Sequence, residues 1–304
     1  RHVGVELEIE DWEKVGLEIP MLVNLQPAGK YLGEDFHRAG GVPAVMNALL
    51  KAGKLHDSAI TVNGKTVADN YADTTTKDTE VIRTFLKPML ENAGFIVLKG
   101  NILDSAVMKT SVISDSFRSQ YLDKPGSLNI FEARAIVFEG PEDYHSRIND
   151  PQLNIDVDCI LVIRGCGPVG YPGSAEVVNM QPPDRLIREG ILELPTLGDG
   201  RQSGTSASPS ILNASPESAV GGGLALLKTG DMLRIDLNQG SLDVLLDESE
   251  LQKRRGQLKT EVIENQTPWQ EIYRDTVGQL SSGGIIELAA KYRKIKNTIP
   301  RHSH

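Results

Sequence analysis

Cys159-Ile160-Leu161-Val162-Ile163-Arg164-Gly165-Cys166-Gly167-Pro168-Val169-Gly170-Tyr171-Pro172-Gly173-Ser174-Ala175-Glu176 sets an unbroken apolar run against a loop crowded with glycine and proline. The apolar run reads as a strand, because membrane spans need about 20 such residues and this one is strand-length. From Gly94 onward the same texture recurs. It predicts strands over 95–98, 135–138, 159–163, 232–237 and 242–246, parted by glycine-rich turns. Leu233-Arg234-Ile235-Asp236-Leu237 alternates apolar and polar and pairs by pattern with Leu242-Asp243-Val244-Leu245 across Asn238-Gln239-Gly240-Ser241, a hairpin with one wet face. Short helices are expected over 141–148, 183–189 and 216–228, the last interrupted by Gly221-Gly222-Gly223, each opened by a proline suited to a first turn. Further helices are expected over 248–255 and 269–280.

Upstream of Gly94 the pattern alternates strand and helix. Ile19 to Val23 reads as a short buried strand and residues 42–52 as an amphipathic helix, with Pro43 in its first turn and Gly53 at its end. Asn63-Gly64 among β-branched residues is a hairpin cue, although a strand-to-helix passage carries the same letters. The Thr-rich stretch 69–78 reads as a linker, which puts a domain boundary there or by Pro88. The fold class is α/β. The alternating first part and the β-rich part after the boundary are expected to be separate domains.

Composition narrows the function classes. The 304 residues carry 32 Lys+Arg against 41 Asp+Glu, a net charge of -9, with no basic cluster to neutralise a run of phosphates. Nucleic acid is therefore not an expected partner, and no segment is long and apolar enough to predict a membrane span. The two cysteines, Cys159 and Cys166, are too few for a disulfide framework and do not form a Cys-x-x-Cys pair, which suits a reducing compartment. The six histidines are scattered and make no ligand pair. The chain opens on Arg1 with no signal or transit pattern, the expectation for a piece of a longer protein.

Two loops hold the chemistry. Gly165 to Glu176 contains a formal G-x-G-x-x-G after a strand, yet Pro172 falls where a dinucleotide-binding helix needs free N–H groups, and no full β-α-β frame surrounds it. By spacing alone, Glu176 reads as a helix-start charge first and a hard-oxygen ligand for Mg²⁺ second. The second loop, Leu197-Gly198-Asp199-Gly200-Arg201-Gln202-Ser203-Gly204-Thr205-Ser206-Ala207-Ser208-Pro209-Ser210, offers backbone N–H groups for a carboxylate or phosphate. It is neither a Walker A loop nor a G-x-S-x-G elbow. Apolar flanks at Ile191 to Pro195 and Ile211-Leu212 anchor it at a buried place. A stand-alone module that binds a small acid without chemistry has the same features.

Taken in order, these loops resemble the dihydroxy-acid and phosphogluconate dehydratase family. The matching stretches include Gly94 to Asn101, Gly165 to Glu176, Gly198 to Thr205, Ser215-Pro216-Glu217, Gly221-Gly222-Gly223, Gly40 to Val45 and Thr61 to Thr66. Phe138-Glu139-Gly140-Pro141-Glu142-Asp143-Tyr144-His145 and Thr267 to Arg274 resemble the sugar-acid branch, the arabinonate and xylonate dehydratases. The resemblance implies a hydro-lyase that converts a 2,3-dihydroxy acid to a 2-keto-3-deoxy acid with Mg²⁺ and a [2Fe–2S] cluster, and a swivelling β/β/α barrel-like C-terminal domain. It implies Ser203 as catalytic base, Thr205 and Gly204 as substrate binders and Glu176 as a Mg²⁺ ligand. Members are about twice this long. Their cluster cysteines, further Mg²⁺ ligands and carbamoylated lysine have no counterparts here, so this chain is expected to be the carboxyl-terminal half, inactive in isolation. A homodimer or homotetramer is implied, in the cytoplasm or, for a eukaryote, the mitochondrion.

Overall fold

Residues 2, 4–204, 209–259 and 264–292 are described by the computed structural model. Two compact units arise: one from Arg1–Glu13, Phe95–Lys109 and Ile113–His304, the other from Lys14–Gly94 and Thr110–Val112. The larger unit is built on β1 (Phe95–Gly100), β2 (Leu103–Lys109), β3 (Ile130–Phe138), β4 (Cys159–Ile163), β5 (Thr196–Gly198), β6 (Ile211–Ser215), β7 (Met232–Asp236) and β8 (Ser241–Val244). These close into a barrel in the order β1-β2-β6-β5-β4-β3-β7-β8, giving a mixed α/β fold.

The apolar run 159–163 becomes a strand that is buried along its whole length. Ile160 and Val162 pack into one core with Leu98, Met108, Phe131 and Leu233, while Cys159, Leu161 and Ile163 pack into a second with Phe138, Ile148 and Leu186. Side chains alternate across a strand, so only a strand covered on both faces can be apolar throughout. Helix Pro141–Arg147 lies over the outer layer, its Tyr144 ring 5.5 Å from that of Phe138.

β3, β4, β5 and β6 are neighbours and run parallel, with Phe138 opposite Ile163, Ile163 opposite Gly198 and Leu197 opposite Ile211. Their C-terminal ends therefore emerge on one rim of the barrel. The glycine loop leaves from β4, the Ser203 loop from β5 and Glu217 from β6, so sequence-distant stretches converge there. The β7–β8 hairpin forms as expected, with Leu233 opposite Val244 and Ile235 opposite Leu242.

Several expectations need correction. Residues 216–228 are interrupted at the glycines as expected, but the two pieces are 3₁₀ turns, Ser218–Val220 and Gly223–Leu226, separated by Gly221 at φ +84°, and not α-helix. A side chain on Gly222 would sit 1.8 Å from the Pro216 oxygen and one on Gly223 would sit 2.3 Å from the Ile102 oxygen, so the glycines serve close backbone approach. The helix expected over 269–280 stops at Thr276 and is followed by a separate turn, Leu280–Ser282. β2, β5 and β6 go beyond the expected strands: Asp104 and Ser105 interrupt the first pattern, β5 is three residues long, and Asn213 and Ser215 break the apolar pattern of β6.

In the smaller unit, helix Gly41–Lys51 forms near its expected limits. Residues 19–23 make only isolated bridges, Met21 to Leu90 and Val23 to Ile82, instead of a strand. The Asn63-Gly64 turn closes a single bridge, Ile60 to Thr66, and leads into helix Val67–Tyr71, where Thr66 Oγ1 accepts from Asp69 N at 3.0 Å. The start of the expected linker is thus helical, since the capping box sets a helix start. Among the described residues no helix is long and apolar enough to cross a membrane.

Candidate active site

Backbone pairing joins the two loops at the barrel rim. Arg201 N donates to Ala175 O at 2.8 Å and Val178 N to Arg201 O at 3.1 Å, which makes a parallel bridge between Glu176 and Arg201. Arg201 Nε also donates to Ser174 O at 2.8 Å, and its Nη1 lies 3.7 Å from Glu176 Oε1. Both side chains are about half exposed, at 47% each, so the ion pair itself contributes about 0–1 kcal/mol. Its value is positional. Glu176 belongs to this bridge and not to a helix start, which removes the simpler reading of that residue.

Ser203 lies two residues beyond Arg201 and is partly buried, and Gly204 is exposed in a turn. Thr205 lies outside the described residues. The chain therefore delivers Glu176 and the Ser203 loop to one place, with a guanidinium beside the carboxylate.

The scaffold under these loops is made by two acids to which the sequence reading gave no role. Asp199 is fully buried; its Oδ1 accepts from Cys166 N at 2.9 Å and its Oδ2 from Gly165 N, Ser218 N and Ser218 Oγ at 3.1, 2.8 and 2.7 Å. Glu217 is 1% exposed and accepts from the backbone N–H groups of Val169 and Gly170. Burial pushes the Glu217 carboxyl above its usual range, against the lowering effect of the Gly170, Val169 and Gln279 hydrogen bonds, with Asp199 adding to the rise. Hydrogen bonds to a charged acceptor contribute about 1.5–3 kcal/mol each, enough in sum to hold buried carboxylates that would otherwise be costly. The signal was there to find: each acid stands alone in a stretch of glycine, serine and apolar residues, Asp199 between two glycines and Glu217 after a proline.

Arg164 ties down the start of the glycine loop. Its Nη1 donates to the carbonyls of Leu224 and Leu227 at 2.8 and 2.9 Å, and its Nε donates to Glu139 at 2.9 Å. The loop itself turns without a helix: Tyr171 N donates to Gly167 O and Ser174 N to Tyr171 O, so the geometry that a dinucleotide fingerprint needs is missing. Gly167 has no room for a side chain, because a Cβ would fall 2.5 Å from Glu217 Oε2 and 2.6 Å from Glu217 Cβ. Gly167→Ala is expected to destabilise the fold by about 1–3 kcal/mol, measured as a lower urea midpoint, because neither loop nor acid can yield. An unchanged midpoint would contradict that packing.

The donor set bears on metals. Glu176 is a hard oxygen donor suited to Mg²⁺, which asks for near-octahedral oxygen coordination. Among the described residues no group of three or more His, Cys, Asp or Glu side chains is placed to hold a metal. The cysteines do not fit an iron–sulfur cluster. Both are fully buried; burial pushes the Cys159 thiol up to about 11 and the Cys166 thiol upward as well, whereas cluster ligation needs thiolates. Cys159 is already engaged by Arg134 Nη2 and Asp156 Oδ1, each 3.1 Å from its sulfur.

Residues 80–284 match the C-terminal part of the dihydroxy-acid/6-phosphogluconate dehydratases, and residues 1–70 match the N-terminal part. D-xylonate dehydratase of Caulobacter vibrioides is 59% identical over 304 residues, covering 100% of this chain and 51% of the relative. L-arabinonate dehydratase of Rhizobium leguminosarum bv. trifolii is 42% identical over 253 residues, 83% of this chain and 42% of the relative. L-arabonate dehydratase of Azospirillum brasilense is 34% identical over 310 residues, 99% of this chain and 51% of the relative. The chain thus spans about half the length of the curated relatives it matches.

Proposed function

Because the chain belongs to the dihydroxy-acid/6-phosphogluconate dehydratase family, we propose that it supplies the barrel-side share of the active site of a hydro-lyase acting on a sugar acid. Five-carbon acids such as D-xylonate and L-arabinonate are the favoured substrates, since relatives bearing those names are 59% and 42% identical to this chain. On this reading residues 1–80 are the tail of an α/β cluster-binding domain, residues 81–304 are the swivelling β/β/α dehydratase domain, and the whole protein is a homodimer or homotetramer. The [2Fe–2S] cluster and the other Mg²⁺ ligands then come from outside this chain.

The observation that carries the reading is the bridge that sets Glu176 against the loop of Ser203. Dehydration breaks the C2–H bond and the C3–O bond of the acid and forms a C2–C3 double bond. The proton and hydroxide leave as water, and the enol rearranges to a 2-keto-3-deoxy acid. The C2 proton lies beside a carboxylate and is very weakly acidic, so a strong base is required. Ser203 Oγ takes that proton as an alkoxide, a form that a serine holds near neutral pH only when cations stand close by. Gly204 N–H and Thr205 orient the substrate carboxylate. Glu176 contributes a ligand to Mg²⁺, which when bound supplies Lewis-acid stabilisation of the departing hydroxyl and the enolate charge.

The test is to incubate the native gene product with a panel of sugar acids and assay 2-keto-3-deoxy acid, with and without a chelator. Mg²⁺-dependent keto-acid formation from a pentonate is expected. Binding of the acids with no product would favour a module without catalysis.

A further inference from the structure

We propose that Glu217 is a positioning residue of this site, tethering the glycine loop that carries Glu176, and that the C-terminal segment containing Arg274 and Gln279 completes the tether. The proposal rests on the reading of Glu176 and Ser203 given above.

Glu217 is delivered by the end of β6 to the underside of the loop. Its Oε1 and Oε2 accept from Val169 N at 3.0 and 3.1 Å, and Oε2 accepts from Gly170 N at 2.8 Å. Gln279 holds Glu217 in turn, its Nε2 donating to Glu217 Oε1 at 3.0 Å and its Oε1 accepting from Glu217 N at 2.8 Å. Arg274 Nε donates to Val169 O at 2.8 Å. Residue 169 is therefore gripped on both sides, its N–H by Glu217 and its C=O by Arg274. Asp199 secures the first half of the same loop at Gly165 and Cys166.

Every group bonded to the Glu217 carboxylate is a donor, so an ionised acid satisfies them all. An amide would turn an NH₂ against backbone N–H groups. A buried acid with only donors around it is poorly explained as packing, which an apolar side chain achieves at lower cost. Its position is explained if the path of the loop from Gly165 to Glu176 has to be fixed. Gly167, closed against the Glu217 side chain, points the same way. Glu217 contacts the loop and not the Glu176 side chain, so its effect on the reaction is indirect.

The experiment compares the native gene product with its Glu217→Gln, Gln279→Ala and Glu217→Asp forms by amide hydrogen exchange and by Mn²⁺ titration. Glu217→Gln is expected to speed exchange across residues 165–176 by about tenfold or more while β3 and β4 stay protected. It should also weaken Mn²⁺ binding and lower kcat more than it raises KM. Gln279→Ala should act in the same direction by less, and it carries the test if Glu217→Gln fails to fold. Glu217→Asp keeps an acceptor and should recover part of the loss. Unchanged exchange in the loop, or exchange raised equally in loop and barrel, overturns the tether. Glu176→Gln serves as the control: if it leaves Mn²⁺ affinity unchanged while the loop still loosens in Glu217→Gln, the functional reading has failed and the tether has not.

Discussion

Ser203→Ala is expected to lower turnover of the proposed dehydration by about 10³-fold, with the fold and the Mg²⁺ requirement of the protein unchanged. The physical reason is the acidity of the proton at C2. No water molecule near neutral pH abstracts it at a useful rate, and alanine leaves no oxygen at the place where the base must stand. Arg201 N and Asp199 bind the Ser203 loop to the glycine loop, and both anchors remain when Ser203 is replaced. The circular dichroism spectrum of the variant should therefore still show the wild-type fold. KM should change little, because the carboxylate-orienting groups remain. A kcat within a few fold of wild type would remove Ser203 from its proposed role.

Glu176→Gln is expected to raise the Mg²⁺ concentration needed for half-maximal activity by about tenfold or more. An amide oxygen retains the shape of the carboxylate and loses its charge, so the change isolates the electrostatic contribution to a hard cation. Stability should hardly respond, because the side chain is half exposed and its pair with Arg201 spans 3.7 Å. Excess Mg²⁺ should restore part of the rate, a result that loss of a catalytic base would not give. If Mg²⁺ dependence is unaltered, Glu176 has no part in holding the metal.

Much of the barrel could be read from the chain because its strands carry their own evidence. The run Cys159 to Ile163 has no alternative to a strand covered on both faces, and the Leu233–Leu237 alternation ends in a turn that forces a hairpin. β5 could not be read, since Thr196–Gly198 is three residues long and owes its place to pairing with β4. The segment 216–228 was legible in part: its glycine interruption shows in the sequence, but the squeeze of Gly222 and Gly223 against Pro216 and Ile102, which goes with 3₁₀ turns in place of helix, does not.

The site divides in the same way. Ser203 and Glu176 were reached through the resemblance, while spacing alone favoured a helix-start role for Glu176 that the bridge to Arg201 overturned. Asp199 and Glu217 were passed over as parts of motifs. What gives each a role is a set of backbone N–H groups from a loop distant in sequence, gathered only when β4, β5 and β6 run parallel to one rim.

The most direct test of the account follows the C2 hydrogen itself. The native gene product and its Ser203→Ala form, both shown to be folded, are incubated in D₂O with the sugar acid and Mg²⁺, and the acid is followed by proton NMR. The account predicts that the wild-type protein consumes the C2–H signal and yields a 2-keto-3-deoxy acid with a solvent deuteron at C3, whereas the variant leaves C2–H intact. Loss of C2–H at the wild-type rate in Ser203→Ala would contradict it.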